Sequence, residues 1–160
     1  MGKPRILIVD DQRDVLSTVR KDLAPLEDYV MLEECESAEE AKRLLEELDA
    51  GGETAAVIIC DHIMPQKSGV ELLTELNHDT RFQSMKKLLH TGLATHQDTI
   101  TAINQASIDR YLEKPWDPEH MRHMVKQLLT QFLLRSGLDY QPYLPILDQE
   151  TLFQEIKKTT

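Results

Sequence analysis

Short apolar runs alternate along the chain with stretches in which apolar residues recur at helical spacing. The clearest run is AAVIIC at residues 55–60, which is too short for a solitary helix and rich in β-branched residues. It predicts a strand buried on both faces, as is typical of parallel sheets. Four further runs predict strands of the same sheet, at residues 5–10, 29–35, 86–90 and 110–113.

Helix signals fill the intervals between these runs. Pro25 ends the first predicted helix, and Ser37 with Glu40 forms a capping box at the start of the second. Asp117 followed by Pro118 is a strong start signal for the fifth helix. The second helix is predicted to end between Asp49 and Gly52, and the third to begin at Ser68 or Gly69. The fourth is predicted over residues 95–106, with Ile100 and Ile103 as its apolar stripe, and Gly137 ends the fifth.

Strand and helix therefore alternate five times along the chain. Short connections and right-handed crossovers turn that alternation into an α/β fold with helices on both faces of the sheet. We expect a doubly wound, flavodoxin-like, five-stranded parallel sheet in the order 2-1-3-4-5. Residues 3–136 hold these elements, and residues 137–160 form an extension or linker with a short C-terminal helix.

The composition of the chain limits the partners and the cellular compartment that we expect. The net charge of −10 would repel a phosphate backbone, which disfavours nucleic-acid binding by this segment. Cys35 and Cys60 both fall in apolar runs and are interpreted as buried free thiols. No apolar run approaches the length of a membrane span, and the first residues lack a signal-peptide pattern, so we expect a cytoplasmic protein without membrane contact.

Reactive side chains follow most of the predicted strands: Asp10 and Asp11 after the first, Asp61 after the third, Thr91 after the fourth and Lys114 after the fifth. The carboxyl ends of parallel strands meet at one edge of the sheet, where open α/β proteins bind ligands. Clustered carboxylates repel one another, and a hard cation such as Mg²⁺ relieves that repulsion. Metal, nucleophile, cation and hydroxyl donor are the parts of a phosphoryl-transfer site.

These residues occur together with DHIMP at residues 61–65, Gly69, and YLEKP at residues 111–115. The ordered set resembles the receiver domain of two-component response regulators, over roughly residues 3–135. The resemblance implies that Asp61 takes a phosphoryl group from a phosphohistidine or a small acyl phosphate. It implies that Asp10, Asp11 and Asp61 hold Mg²⁺, Asp11 most directly. Lys114 would then pair with the phosphoryl oxygens and Thr91 would hydrogen-bond one of them.

The same resemblance implies a switch and a set of partners. Thr91 would move toward the phosphoryl group and Tyr111 would turn inward, which changes the surface of the fourth helix, fifth strand and fifth helix. Tyr111 as a plain packing residue is the alternative. The partners implied are a sensor histidine kinase or phosphotransfer protein, a fused or separate output domain, and a second copy joined through that surface or the tail. The protein would be a signalling phosphoacceptor rather than an enzyme, with a cis peptide between Lys114 and Pro115.

Three rival functions are considered. A haloacid-dehalogenase-type phosphatase needs an acid two residues after its nucleophile, where this chain has Ile63. A flavodoxin-like FMN carrier needs a glycine- and hydroxyl-rich phosphate loop after the first strand, where Asp10 and Asp11 stand. A receiver-like adaptor that binds partners without phosphorylation stays open as the alternative, although the intact set of acids, Thr91 and Lys114 argues against it.

The tail lies outside this pattern. Its prolines favour an extended path over residues 138–147, and Asp148 is the predicted N-cap of a last helix, with Leu147 and Leu152 as a hydrophobic staple. Leu152, Phe153 and Ile156 give that helix one apolar edge. Such a short helix needs packing, so the tail docks on the domain, pairs with a second chain, or begins an output domain, the third being favoured. Trp116 is expected to pack against the fifth helix rather than to face a partner.

Overall fold

The computed structural model describes residues 2–92 and 96–158, except the side chains of residues 96, 98, 99, 102 and 103. Helices and strands alternate as the apolar pattern predicts. The strands are β1 Arg5–Val9, β2 Met31–Cys35, β3 Ala55–Cys60, β4 Lys86–Thr91 and β5 Arg110–Glu113. The helices are α1 Arg13–Leu23, α2 Ala38–Ala50, α3 Gly69–Asn77, α4 His96–Ala106, α5 Pro118–Arg135 and α6 Gln149–Lys158, with 3₁₀ turns at Ala24–Leu26 and Gln141–Ile146.

The sheet has the order β2-β1-β3-β4-β5, and its strands pair in parallel. This confirms the predicted doubly wound α/β fold. The pairing of Val9 with Cys60 brings the ends of β1 and β3 level with each other. The residues that follow these strands, Asp10 and Asp61, consequently start from adjacent points on one edge of the sheet.

Each face of the sheet carries its own apolar core, because successive side chains of a strand point to opposite faces. Ile6 and Ile8 of β1 face a core shared with α1 and α5. Leu7 and Val9 face the opposite core, shared with α2 and α3. No helix in the described ranges combines the length and apolar character needed to cross a bilayer.

Most helix boundaries agree with the predicted signals. Ser37 Oγ accepts a hydrogen bond from Glu40 N at 3.0 Å, and Glu40 reaches back to Glu36 N at 3.0 Å. Asp117 caps α5 through the backbone N–H of His120, at 3.2 Å. In α4, Ile100 of the predicted apolar stripe is 38 % exposed, so this residue is not buried as predicted. The predicted start of α4 at residue 95 and the side chain of residue 103 lie outside the described residues.

The segment after α5 packs on the domain. Gly137, at φ +77°, ends α5, and the chain turns back so that Ile146, Leu147 and Leu152 join the core of α1 and α5. The expected extended path over residues 138–147 is wrong: six residues form a 3₁₀ turn, Gln141–Ile146. Proline at the first turn of such a helix needs no backbone donor, so Pro142 is compatible with it.

Helix α6 begins where predicted but turns a different face inward. Asp148 Oδ2 accepts from Thr151 N at 3.0 Å, which confirms the N-cap. Phe153 is 65 % and Ile156 40 % exposed, so the predicted apolar edge is wrong for both. Glu155 is buried in their place by its ion pair with Arg135, at 2.9 Å. Of the three predicted roles for the tail, docking on the domain is the one seen.

Candidate functional site

The acidic cluster is built by the ends of two neighbouring strands. Asp10 N donates to Cys35 O at 3.0 Å and Asp61 N donates to Val9 O at 2.9 Å, so backbone hydrogen bonds position both residues just beyond the strands. One carboxylate oxygen from each of Asp10, Asp11 and Asp61 lies within 4.8 Å of the other two. Asp10 and Asp61 are buried and Asp11 is exposed. The structure thus brings together the three acids that the sequence singled out.

Lys114 enters the cluster from the end of β5. Its Nζ lies 2.7 Å from Asp10 Oδ2 and 3.7 Å from Asp61 Oδ2. Lys114 N also donates to Thr91 O at 3.2 Å, which ties the loop after β5 to the end of β4. The Lys114–Pro115 peptide bond is cis, as the resemblance implied. One ammonium group therefore stands between two buried carboxylates.

Thr91 completes the group of side chains around Asp61. It is the last residue of β4 and is buried, and its side chain hydrogen-bonds to Asp61. The Tyr111 hydroxyl donates to Thr91 O at 3.4 Å from a partly buried position. Tyr111 thus contacts the backbone of Thr91.

The electrostatics of Asp61 reflect its burial. Burial raises the pKa of this carboxyl group above its ordinary value, and the charge of Asp10 raises it further. The Lys114 ammonium, the Thr91 side chain and the His62 backbone N–H, which donates to Oδ1 at 2.8 Å, oppose that rise. The net pKa stays raised, so the pocket disfavours a further negative charge without a cation.

A cavity of about 400 Å³ opens at the acidic cluster. Gly92 stands exposed at its mouth without a side chain, and Ile63 contributes an apolar wall. The cavity thus leaves Asp61 open to a small solute. Its lining residues are Asp11, Gln12, Asp61, Ile63, Thr91, Gly92 and Lys114.

Gly69 supports the site in a way that sequence reasoning missed. A Cβ atom at this position would lie 1.9 Å from the backbone oxygen of Asp61, far closer than any real contact. Gly69 N also donates to His62 O at 2.8 Å. The first turn of α3 can therefore press against the loop that carries Asp61 only when residue 69 has no side chain. The sequence predicted Gly69 as a possible start of the third helix and as part of the receiver resemblance, but it did not predict this close approach.

A second support lies behind Lys114 and Thr91. Trp116 Nε1 donates to Asp22 Oδ2 of α1 at 2.6 Å, and the His90 ring meets the Trp116 ring edge-on at a centroid distance of 4.4 Å. Trp116 is half-buried and packs against the core shared by α1 and α5, which confirms the packing prediction. The roles of Asp22 and His90 were not predicted, because nothing in the local sequence pairs them with Trp116.

Comparison with known proteins agrees with this geometry. The sequence model described as the response regulator receiver domain matches residues 6–126. The chain belongs to this family. It is 30 % identical over 151 residues to the hydrogenase transcriptional regulatory protein HoxA of Cupriavidus necator, covering 91 % of this chain and 29 % of HoxA. The chemotaxis protein CheY1 of Helicobacter pylori is 28 % identical over 125 residues, covering 78 % of this chain and 96 % of CheY1.

Comparison with solved structures leads to the same family. The signal receiver domain of an HD domain-containing protein from Pseudomonas fluorescens Pf-5 superposes with a TM-score of 0.74 at 28 % identity, covering 86 % of this chain and 94 % of that domain. The chain is thus a receiver domain of the type found in two-component response regulators, and it spans less than a third of the length of HoxA. Receiver domains bind Mg²⁺ at an acidic pocket, and the hard carboxylate oxygens gathered at Asp10, Asp11 and Asp61 fit that ion.

Proposed function

We propose that this receiver domain is a Mg²⁺-dependent phosphoacceptor whose acceptor is Asp61. The observation that carries the proposal is the convergence of three carboxylates within 4.8 Å of one another, with Lys114 Nζ 3.7 Å from Asp61. These groups border a cavity that a phosphoryl donor can enter. The donors we propose are the phosphohistidine of a sensor histidine kinase or phosphotransfer protein, and small acyl phosphates.

In the transfer, an Asp61 carboxylate oxygen attacks phosphorus and a new P–O bond forms. The bond from phosphorus to the donor breaks, and the donor's imidazole nitrogen or carboxylate oxygen keeps the electron pair. Lys114 is close enough to Asp61 to exchange its contact with Asp10 for one with a phosphoryl oxygen. Thr91 already hydrogen-bonds to Asp61 and would donate to another phosphoryl oxygen.

Mg²⁺ would be held by Asp10, Asp11 and Asp61, with Asp11 the most accessible of the three. When bound, the ion offsets the charge that accumulates on the carboxylates and on the transferred group. The burial that raises the pKa of Asp61 makes that offset necessary, because two buried carboxylates share a single ammonium.

The proposed output is a switch at Thr91 and Tyr111. A shift of Thr91 toward the phosphoryl group would break the contact of the Tyr111 hydroxyl with Thr91 O and change the surface of α4, β5 and α5. That surface, or the docked tail, would contact a partner protein, a fused output domain or a second copy. We place the phosphoacceptor domain at residues 3–136, with residues 137–160 as its extension, acting in the cytoplasm.

The test is incubation with acetyl phosphate and Mg²⁺, followed by intact-protein mass spectrometry. We expect one phosphoryl mass, lost in Asp61→Asn and in the presence of a chelator. Asp11→Asn should require a higher Mg²⁺ concentration, whereas Asp14→Asn, an exposed acid in the first turn of α1, should behave as wild type. An unchanged adduct in Asp61→Asn would refute the assignment. Absence of an adduct together with unaltered partner binding would favour the phosphorylation-independent adaptor.

A further inference from the structure

A second polar cavity lies at the edge of the sheet opposite the acidic cluster. It has a volume of about 340 Å³ and opens where β4 and β5 begin, between the loop before β4 and the end of α5. A volume of this size suits a small ligand. The charged residues in its wall are Lys86, Lys87, Asp109 and Arg135.

Positive charge is in excess at this cavity, although the whole chain carries a net charge of −10. Asp109 is the acidic residue among those that line the cavity, and its carboxylate already has partners. Its Oδ1 lies 3.6 Å from Lys86 Nζ, and its Oδ2 accepts from Lys87 N at 2.8 Å. Arg135 is paired with Glu155 of the tail through Nε and Nη2, at 3.2 and 2.9 Å. Its side chain is still half exposed.

Among the cations of this wall, Lys87 is the one that no carboxylate of the described residues contacts directly. The residue is 2 % exposed, and its Nζ donates to Met85 O at 3.1 Å and to Gln83 O at 3.4 Å. Both acceptors are neutral carbonyl groups, and an ammonium group has three donors. Within the described residues no carboxylate oxygen forms a salt bridge with Lys87 Nζ.

Burying a charge without a counter-charge is costly. Burial accordingly lowers the pKa of Lys87, and the nearby charge of Asp109 only partly opposes that shift. An anion in the cavity would supply the missing counter-charge and the third acceptor. The polar side chains of Ser107 and Asn77 in the same wall offer neutral hydrogen-bond groups, and Phe132 offers an apolar surface.

We propose that this cavity binds a small phosphate-bearing anion, held by Lys87 together with Lys86 and Arg135. A phosphate headgroup supplies the counter-charge that Lys87 lacks, and the apolar wall suits a short organic body attached to it. The site is separate from the phosphoacceptor pocket. Binding there requires neither Asp61 nor Mg²⁺.

The test is a titration of the ¹⁵N-labelled full chain with inorganic phosphate in the presence of EDTA. Binding is monitored through the NMR chemical shifts of the backbone amides. Parallel titrations use glycerol phosphate and succinate, to distinguish a phosphate ester and a dicarboxylate from the free ion. We expect saturable shifts at Ser107, Lys87 and Ser136 with phosphate or its ester, and unchanged amides at Gly92 and Lys114. Shifts confined to Gly92 and Lys114, binding of succinate alone, or no saturation would overturn the proposal.

Variants make the assignment specific. Lys87→Met keeps much of the buried volume and removes the charge, so it should weaken phosphate binding roughly tenfold or more. Lys21→Met removes an exposed lysine of α1 and should leave the affinity unchanged. Lys86→Met is the second variant, should Lys87→Met fail to fold. Asp61→Asn should leave this titration as in wild type, so the outcome is independent of the phosphoacceptor proposal. Phosphate-induced amide shifts that persist unchanged in both lysine variants would contradict the site.

Discussion

The indole nitrogen of Trp116 donates a hydrogen bond to Asp22 Oδ2 at 2.6 Å, and this contact joins the loop that carries Lys114 to α1. Trp116 and Asp22 are 94 residues apart in the chain. Because Asp22 is only 6 % exposed, its carboxylate has little access to water as a replacement partner. The contact therefore holds the ammonium-bearing loop in place.

Trp116→Phe should lower the free energy of unfolding by about 1–3 kcal/mol, because a buried carboxylate then loses its donor. Urea unfolding of Trp116→Phe, Asp22→Leu and the double variant measures the coupling between them. Trp116→Phe should also slow phosphorylation by acetyl phosphate, since the position of Lys114 depends on this loop. Additive effects, without a coupling energy, would contradict the proposed link.

Gly69→Ala should destabilise the protein by about 2–3 kcal/mol or more, because overpacking forces backbone shifts. The added Cβ would lie 1.9 Å from Asp61 O, so the loop that holds the acceptor must move. Gly51→Ala is the matched control, since its Cβ would approach no heavy atom closer than 3.4 Å. Urea unfolding and the rate of phosphorylation should both distinguish the two variants. Equal behaviour of the two would show that the close approach is not required.

His90 should make stability depend on pH. Burial, followed by the charge of Lys114, lowers the pKa of His90 from 6.5 to about 3. Below pH 6.5 the unfolded chain binds a proton that the folded protein refuses, so stability is lost progressively as the pH falls toward about 3. The expected loss from this residue between about pH 7 and about pH 5.5 is roughly 1 kcal/mol.

Unfolding measured across that range checks the His90 prediction. His90→Gln, which is neutral at every pH, should have a correspondingly flatter dependence than wild type. His120→Gln, at an exposed position of α5, controls for the loss of a histidine. A slope that His90→Gln leaves unchanged would mean that this imidazole takes up its proton as readily in the folded protein as in the unfolded chain.

The tail should contribute to the stability of the domain through Glu155. Arg135 lowers the pKa of this carboxyl group, so its contribution is present at neutral pH and is lost as the pH falls. Glu155→Ala should cost about 1–2 kcal/mol, discounted because the Arg135 side chain is half exposed. Glu150→Ala, an exposed acid in the first turn of the same helix, is the control. Urea unfolding at neutral pH compares them, and equal stabilities would indicate that the tail is not held by this pair.

The fold and the acidic site could be predicted because their causes are local. A buried parallel strand is a short apolar run, and the residue that follows it must lie at the carboxyl edge of the sheet. Asp10, Asp61, Thr91 and Lys114 are each placed by one such run. The boundaries differed by a few residues, as with β2, which begins at Met31 rather than at residue 29.

The tail could not be predicted in the same way because its packing depends on distant partners. Glu155 is buried since Arg135, 20 residues earlier, offers two donors, and no apolar pattern within α6 contains that information. The steric demand at Gly69 and the partners of Trp116 likewise arise only when separate elements meet.

The most direct test of the account identifies the residue that carries the phosphoryl group. The protein is phosphorylated with acetyl phosphate and Mg²⁺, reduced with borohydride, which converts an aspartyl phosphate to homoserine, and sequenced by tandem mass spectrometry. We expect homoserine at Asp61 alone. Modification at Asp10, Asp11 or another residue, with Asp61 unmodified, would contradict this expectation.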